Sequence, residues 1–267
     1  MSEAIHLSET HFHDAWAAGT RLDQITVREA FESPTAVENR FILSQMGPLA
    51  GKRVLDVGAG LGESSVYFAL QGAEVTATDI SPGMVRTAVD LGRLHGVTIH
   101  GHVTAGEALD TAPDHYDFVY IANTIHHVPD RRALFAQIHR TLKPGGQFFS
   151  WDPVAYNPAI NIYRRMATEV RTEDETPLKR ADLALARQFF PDVRHREFWI
   201  STLALFLKYY LIDRVHPNQD RYWKRIYRET DATLAWWKPL LALDKVLTGV
   251  PGVRWLAWNM VMFGSKR

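Results

Sequence analysis

Cysteine is absent from all 267 residues, which excludes a disulfide scaffold, a zinc ribbon and a cysteine nucleophile together. A charge excess of either sign is also missing, since 30 Lys and Arg balance 30 Asp and Glu. Without a basic excess or tract, a nucleic-acid partner is not expected. No internal repeat or low-complexity tract occurs. The most apolar run, Phe198 to Ile212, spans only about 15 residues and contains Lys208, against roughly 20 for a membrane span. The opening Met1-Ser2-Glu3-Ala4-Ile5-His6 lacks the basic-then-apolar order of a signal peptide, so the sequence predicts a cytoplasmic protein. What is present is a composition of 46% hydrophobic and 22% charged residues, enough for a well-filled core.

The pattern divides the chain into three parts. Residues 1–45 read as helical, with Ser33-Pro34-Thr35 as a helix start and Pro34 at its first position. Residues 46–155 alternate short β runs with helical stretches, which predicts a parallel sheet with helices on both faces. Strands are expected at 54–57, 74–78, 98–103, 118–123 and 147–151. A helix over 131–142 should stop at Lys143-Pro144-Gly145-Gly146. Residues 156–267 are mostly helical, with further strands near 195–200 and 256–263 and an aromatic-rich insert over about 201–254. Six of the eight tryptophans fall in this last part. Tryptophan and tyrosine beside lysine and arginine suit an apolar pocket rim or a membrane interface. Simple packing or a homodimer surface are the competing readings.

The sharpest motif is Val54-Leu55-Asp56-Val57-Gly58-Ala59-Gly60-Leu61-Gly62-Glu63-Ser64-Ser65. A buried strand runs into a glycine loop and then into a helix whose first amides are free donors. Asp79 ends the second strand, 19 residues after Gly60, where a carboxylate can accept ribose hydroxyls. NAD, FAD and S-adenosylmethionine all remain open at that point. Asp56 beside the loop would repel a pyrophosphate but suit an α-ammonium. The position of the third dinucleotide glycine carries Glu63. Together these favour S-adenosylmethionine, with S-adenosylhomocysteine as product.

The stretches VLDVGAGLGESS at 54–65, VTATDIS at 75–81, DFVYIANTIHHVPD at 117–130 and RTLKPGGQFFSWDP at 140–153 resemble class I S-adenosylmethionine-dependent methyltransferases. Within them, the chain is similar to the small-molecule subgroup that includes ubiquinone-pathway enzymes. The resemblance covers roughly residues 50–155. It implies a Rossmann-like seven-stranded sheet, mostly parallel with its last strand antiparallel, and an N-terminal helical lid. It also implies that Asp56, Gly58, Ala59, Gly60 and Gly62 hold the methionine end, that Asp79 holds the ribose and that Ile80 flanks the adenine. Met84, Gly106, Glu107 and Asn123 complete the expected cofactor set. The chain departs from the subgroup at Ala105, where an aspartate is usual.

Methyl transfer requires an acceptor held in line, water excluded and, for a hydroxyl or ammonium, a proton removed. His126, His127 and Asp152, which follow strands four and five, are the catalytic candidates. His11, His13 and Trp16 on the first helix and Tyr156 after strand five are the substrate-binding ones. Nothing in the spacing of the histidines calls for a metal. The expected activity is methylation of a small, hydrophobic acceptor such as a lipid, isoprenoid, quinone precursor or secondary metabolite. Oxygen, nitrogen and carbon acceptors remain unseparated. The alternatives are a protein of this fold that uses the cofactor for other chemistry, and a catalytically silent binding or assembly factor.

Overall fold

A computed structural model describes residues 2–172 and 174–267. Seven strands form one sheet: β1 (Arg53–Val57), β2 (Glu74–Asp79), β3 (Ile99–Val103), β4 (Tyr116–Ala122), β5 (Leu142–Pro153), β6 (Arg194–Phe198) and β7 (Asn259–Ser265). Their spatial order is β3-β2-β1-β4-β5-β7-β6. All pairings are parallel except those of β7, which runs antiparallel to both β5 and β6. The expected doubly covered sheet with a reversed last strand is therefore present. Chain order reverses between β1 and β4, and it is there that a parallel sheet opens a crevice at its carboxyl edge.

Strand parity sends alternate side chains into two separate cores. Val54, Phe118, Tyr120, Val261 and Phe263 join one cluster. Their neighbours Leu55, Val119, Ile121, Met260 and Met262 join the other. Helices cover both faces: α1 (Ser2–Ala18), α2 (Glu29–Glu32), α3 (Val37–Met46), α4 (Glu63–Leu70), α5 (Pro82–Leu94), α6 (Arg131–Thr141), α7 (Pro158–Met166), α8 (Arg180–Phe189), α9 (Ala204–Leu207), α10 (Tyr222–Arg225) and α11 (Asp231–Leu247). None of the described helices is long and apolar enough to cross a membrane.

Two boundaries differ from expectation. Helix α3 begins at Val37, not at Pro34. Ser33 instead spends its hydroxyl on Thr35, and the Thr35 hydroxyl donates to the Ile226 carbonyl at 2.5 Å. The Lys143-Pro144-Gly145-Gly146 run does not separate helix from strand but lies inside β5. Tyr116 pairs with Leu142 and Phe118 with Gln147, so the extra residues bulge out of the ladder, with Gly145 at φ 78°.

Between β6 and β7 the chain makes its aromatic excursion. Trp199 and Trp237 are fully buried against each other, which settles part of this region as core. Asp244 of α11 ties it to the sheet edge. Its buried carboxylate accepts from the Ile200 and Ser201 amides and from the Ser201 and Thr202 hydroxyls. Removing it strands several buried donors at once. Asp244→Ala should lower unfolding stability by about 2–4 kcal/mol in urea titrations.

Glu38 of α3 is buried and accepts from the Asn259 side chain of β7 at 2.6 Å. Burial pushes its carboxyl up to about 7 from an ordinary 4.5. A raised folded-state value means that the neutral form stabilises the fold below pH 4.5. That stability is lost as pH rises through about 7. Relative to Glu38→Gln, the parent chain should lose up to about 3 kcal/mol across this window. Parallel denaturation curves at several pH values check it.

Candidate functional site

A cavity lies over the carboxyl ends of β1, β2, β4 and β5, with α1 and residues 223–227 of the insert closing it from above. Its first half is built from the glycine loop. Gly60 has φ 55° and open space where a Cβ would stand, so its backbone forms the floor of a cradle. The other two glycines are required by the protein itself. A Cβ on Gly58 would lie 2.3 Å from the Thr124 hydroxyl, and one on Gly62 would lie 2.6 Å from Ala88. Asp79 ends β2 at the cavity wall. Its two oxygens accept the Gly60 amide at 3.0 Å and the Ser81 amide at 2.9 Å, which fixes the carboxylate toward the cradle. Burial raises its pKa, opposed by the charge of His13 and the bonds from Ser81 and Gly60. Ile80, Ala105, Gly106 and Glu107 continue the wall, and the His6 ring of α1 lies 3.2 Å from Glu107. Asn123, just past β4, adopts φ 50° and also faces the cavity. Non-glycine backbone is costly there, and such strain concentrates at working sites.

The second half is aromatic. Phe31, Tyr120, Trp151, Tyr163, Tyr227 and Trp258 surround it. The insert therefore supplies both core and pocket wall. Where the halves meet, two histidine–carboxylate pairs stand side by side, with ring centroids 4.1 Å apart. His126 Nδ1 is 2.7 Å from Asp152 Oδ1, and the His126 amide donates to the same oxygen. Burial, with the charge of His127 adding to it, drives the His126 imidazole well below its usual range. Burial pushes Asp152 up to about 7.

His127 is paired from outside the sheet. Its Nδ1 lies 3.1 Å from Glu9 Oε1, and the Thr172 hydroxyl donates to that oxygen at 2.5 Å. His13 Nε2 is 3.3 Å from the other Glu9 oxygen. Burial alone would raise the Glu9 carboxyl. The bonds from His127, His13 and Thr172, with the His127 charge, carry it well below the carboxylate range instead. On the same cavity wall sits Glu175, 4.0 Å from each Nε2 and gripped by Arg164 at 3.1 Å and Arg171 at 2.9 Å. Burial and the neighbouring Arg171 charge lower Arg164 to about 10. Glu9, His13 and His127 bring donor atoms within 4.8 Å of one another, as do His126, His127 and Glu175. The guanidiniums on Glu175 and the hydrogen bonds to Glu9 account for both groups without an ion.

The first helix acts as a roof. Asp14 accepts the Ser81 hydroxyl at 2.5 Å and the Gly83 amide at 2.8 Å, docking α1 on the start of α5. Trp16 meets Trp223 edge-on, with the Arg221 guanidinium 4.0 Å from its ring. Lys224 pairs with Glu63 across the same seam.

Most of the residues singled out from sequence converge on this cavity. Gly58, Ala59, Gly60, Asp79, Ile80, Gly106, Glu107, Asn123, His126, His127, His13 and Trp16 all line it. Six do not. Asp56 lies beneath the loop, where Ser64 and Ser65 both donate to its Oδ2 at 2.6 Å. Burial raises it to about 6, and it reaches the cavity only through Ser64. Gly62 caps α4 against Ala88, and Met84 is buried with Ala17 and Leu61. Asp152 stands behind His126. His11 points to solvent. Tyr156 is a correction: it is 39% exposed, accepts the Arg180 amide and packs on Trp255. Glu9, Thr172, Glu175, Arg164 and Arg171 had not been anticipated. A single acidic residue on the polar side of a helix carries no local mark of the partner it will meet.

Residues 55–150 match a family model described as a methyltransferase domain. A ubiquinone biosynthesis O-methyltransferase of Pseudomonas syringae pv. tomato is 34% identical over 132 residues, covering 48% of this chain and 55% of that protein. The chain thus matches about half the length of such curated relatives. Among solved structures, the methyltransferase partner in a Haloferax volcanii complex with the Trm112 activator superposes with a TM-score of 0.61 at 18% identity, covering 95% of this chain and 97% of that one. A Haemonchus contortus phosphoethanolamine N-methyltransferase, solved with S-adenosylhomocysteine, gives 0.57 at 20% identity over 86% of this chain and 52% of that one. These matches agree with the resemblance drawn from the four sequence stretches.

Proposed function

We propose that this chain, whose residues 55–150 form a methyltransferase domain, moves a methyl group from S-adenosylmethionine to the hydroxyl of a small, mainly apolar acceptor. The observation that carries the reading is one continuous cavity. It joins a glycine cradle and a ribose-facing carboxylate to an aromatic chamber, with His127 at the junction. The cradle fits the cofactor: Gly60 leaves room for it, and Asp79 presents a fixed acceptor for ribose hydroxyls. When bound, the sulfonium supplies an already electrophilic methyl carbon. The chain's own contribution is to hold the acceptor, keep water out and take up a proton.

His127 is the group placed to take it. With Nδ1 directed at Glu9, Nε2 is the nitrogen left to accept a proton, 4.0 Å from the Glu175 carboxylate that shares the cavity wall. Glu9 orients the ring, as a carboxylate does for any imidazole base. His126 and Asp152 buttress it from behind. A base serves a hydroxyl or an ammonium acceptor alike, and the O-methyltransferase name of the P. syringae relative favours the hydroxyl. Phe31, Trp151 and Trp258 favour an apolar body on that acceptor. Of residues 1–45, α1 serves as the lid, with Trp16 meeting Trp223 of the insert at its seam, while α2 and α3 pack into the core of the sheet.

Two measurements test this reading. Asp79→Ala should weaken S-adenosylmethionine binding by about 1.5–3 kcal/mol, as titration calorimetry reports directly. An unchanged affinity would place the ribose elsewhere. In turnover assays, His127→Ala should lower kcat by about 100-fold or more while cofactor affinity is kept. Glu9→Gln, which retains the shape but not the charge, should lose roughly tenfold. A His127→Ala enzyme with full kcat would remove the base from this position.

A further inference from the structure

Helix α7 turns one face to the aromatic chamber of the cavity. Asn157 caps it, accepting the Ala159 and Ile160 amides at 2.9 and 3.1 Å. Ile160, Tyr163 and Arg164 then line the chamber at the i, i+3, i+4 spacing that shares a helix face. Arg165, the next residue, is exposed. Of two adjacent arginines, the one turned inward bears the cost of burial, with its side chain only 12% exposed. Its place is fixed from the backbone as well, since Arg171 Nη1 donates to the Arg164 carbonyl at 3.0 Å.

The pairing in this corner is uneven. Arg164 Nη2, Arg171 Nε and Arg171 Nη2 all donate to Glu175, and all three bonds end on its Oε2. Two guanidiniums thus share one carboxylate, and no second acid offsets the Arg164 charge among the described residues. Arg164 Nε and Nη1 have no hydrogen-bond partner among those residues. Lys224, a further cation on the cavity wall, is already taken by Glu63. The ring wall contributes no free donor from its indole or phenol. Trp151 Nε1 donates to the Tyr120 hydroxyl at 3.0 Å, which donates to Asn39 Oδ1 at 2.6 Å, and Asn39 Nδ2 donates to the Ala30 carbonyl at 2.8 Å. The chamber therefore combines ring faces with one positive charge in excess. Glu175 Oε1 is 4.0 Å from His127 Nε2, so a single carboxylate separates that charge from the base.

We propose that the acceptor carries a carboxylate and that Arg164 selects it, seating the anion on its guanidinium while the hydroxyl meets His127. The role of the hydroxyl rests on the methyl-transfer reading; the carboxylate is read from the charge of the chamber. One excess positive charge matches a monoanion. A phosphate monoester carries about two negative charges at neutral pH and would set the second beside Glu175. Titration calorimetry on the whole protein tests the proposal, with 4-hydroxycinnamate, its methyl ester and 4-hydroxyphenyl phosphate as probes, each with and without saturating S-adenosylhomocysteine. The acid should bind at least about tenfold more tightly than the ester, as a charge-assisted bond allows. R164M should abolish that preference and leave the affinity for the ester unchanged, and R164K should keep part of it. E175Q, which releases both guanidiniums from their internal anion, should tighten binding of the acid but not of the ester, whereas loss of a merely structural ion pair would weaken both. Thermal melting confirms that each variant is folded. Equal affinity for acid and ester, no binding of the acid, tighter binding of the phosphate, or an R164M chain with its preference intact would overturn the proposal. The two readings fail separately: a folded chain that does not bind S-adenosylhomocysteine removes the methyl-transfer reading, and one that binds it yet treats acid and ester alike removes only this one.

Discussion

A buried carboxylate on the first helix holds the working end of this molecule together. Glu9 is drawn from α1 into a site 4% exposed, where an unpaired anion would be costly. It stays there because His127, Thr172 and His13 converge on it from three directions. Roof, β4 loop and post-β5 segment are thus fastened at one point, and that point is also where an imidazole faces the cavity. Withdrawing α1 would bare the anion to water and leave His127 without its orienting partner. In the proposed reaction, closing the pocket and aiming the imidazole would be one event, as in lids on water-excluding sites.

The division of labour below that roof follows from strand parity. Every strand near the switch point gives one side chain upward and the next downward, so two cores can be filled independently. The carboxyl ends stay free of that packing and carry the polar groups: Asp79 at the end of β2, Asn123 and the two histidines after β4, and Asp152 at the end of β5. The insert between β6 and β7 then completes the wall with Trp223, Tyr227 and Trp258. Its own rigidity rests on Asp244 and on the buried Trp199–Trp237 contact.

The cradle was legible in the sequence because its parts are neighbours. Glycine spacing, the acidic end of β2 and the His-His pair after β4 all signal within a few residues of where they act. The strand order was legible through the same alternation of short apolar runs and helices. The Glu9–His127 and Glu9–Thr172 contacts were not, because they join residues 118 and 163 positions apart, and no period or spacing encodes such pairs. Gly58 shows a subtler gap. The resemblance assigns it to the cofactor, but what a Cβ there would strike is Thr124. Pro144 and Gly145 misled in the opposite way, since a bulge inside a strand uses the same residues as a turn that ends one.

The position of β7 bears on how the molecule is made. It lies between β5 and β6 and is the last of the seven strands to leave the ribosome. Until residues 259–265 emerge, Arg194–Phe198 has no neighbour to pair with and the outer flank of β5 is bare. During synthesis the nascent chain therefore carries two exposed hydrogen-bonding edges separated by one missing element. Arginine at 194 and 196, on the strand that waits longest, is the sort of residue that keeps such an edge from adopting a stranger.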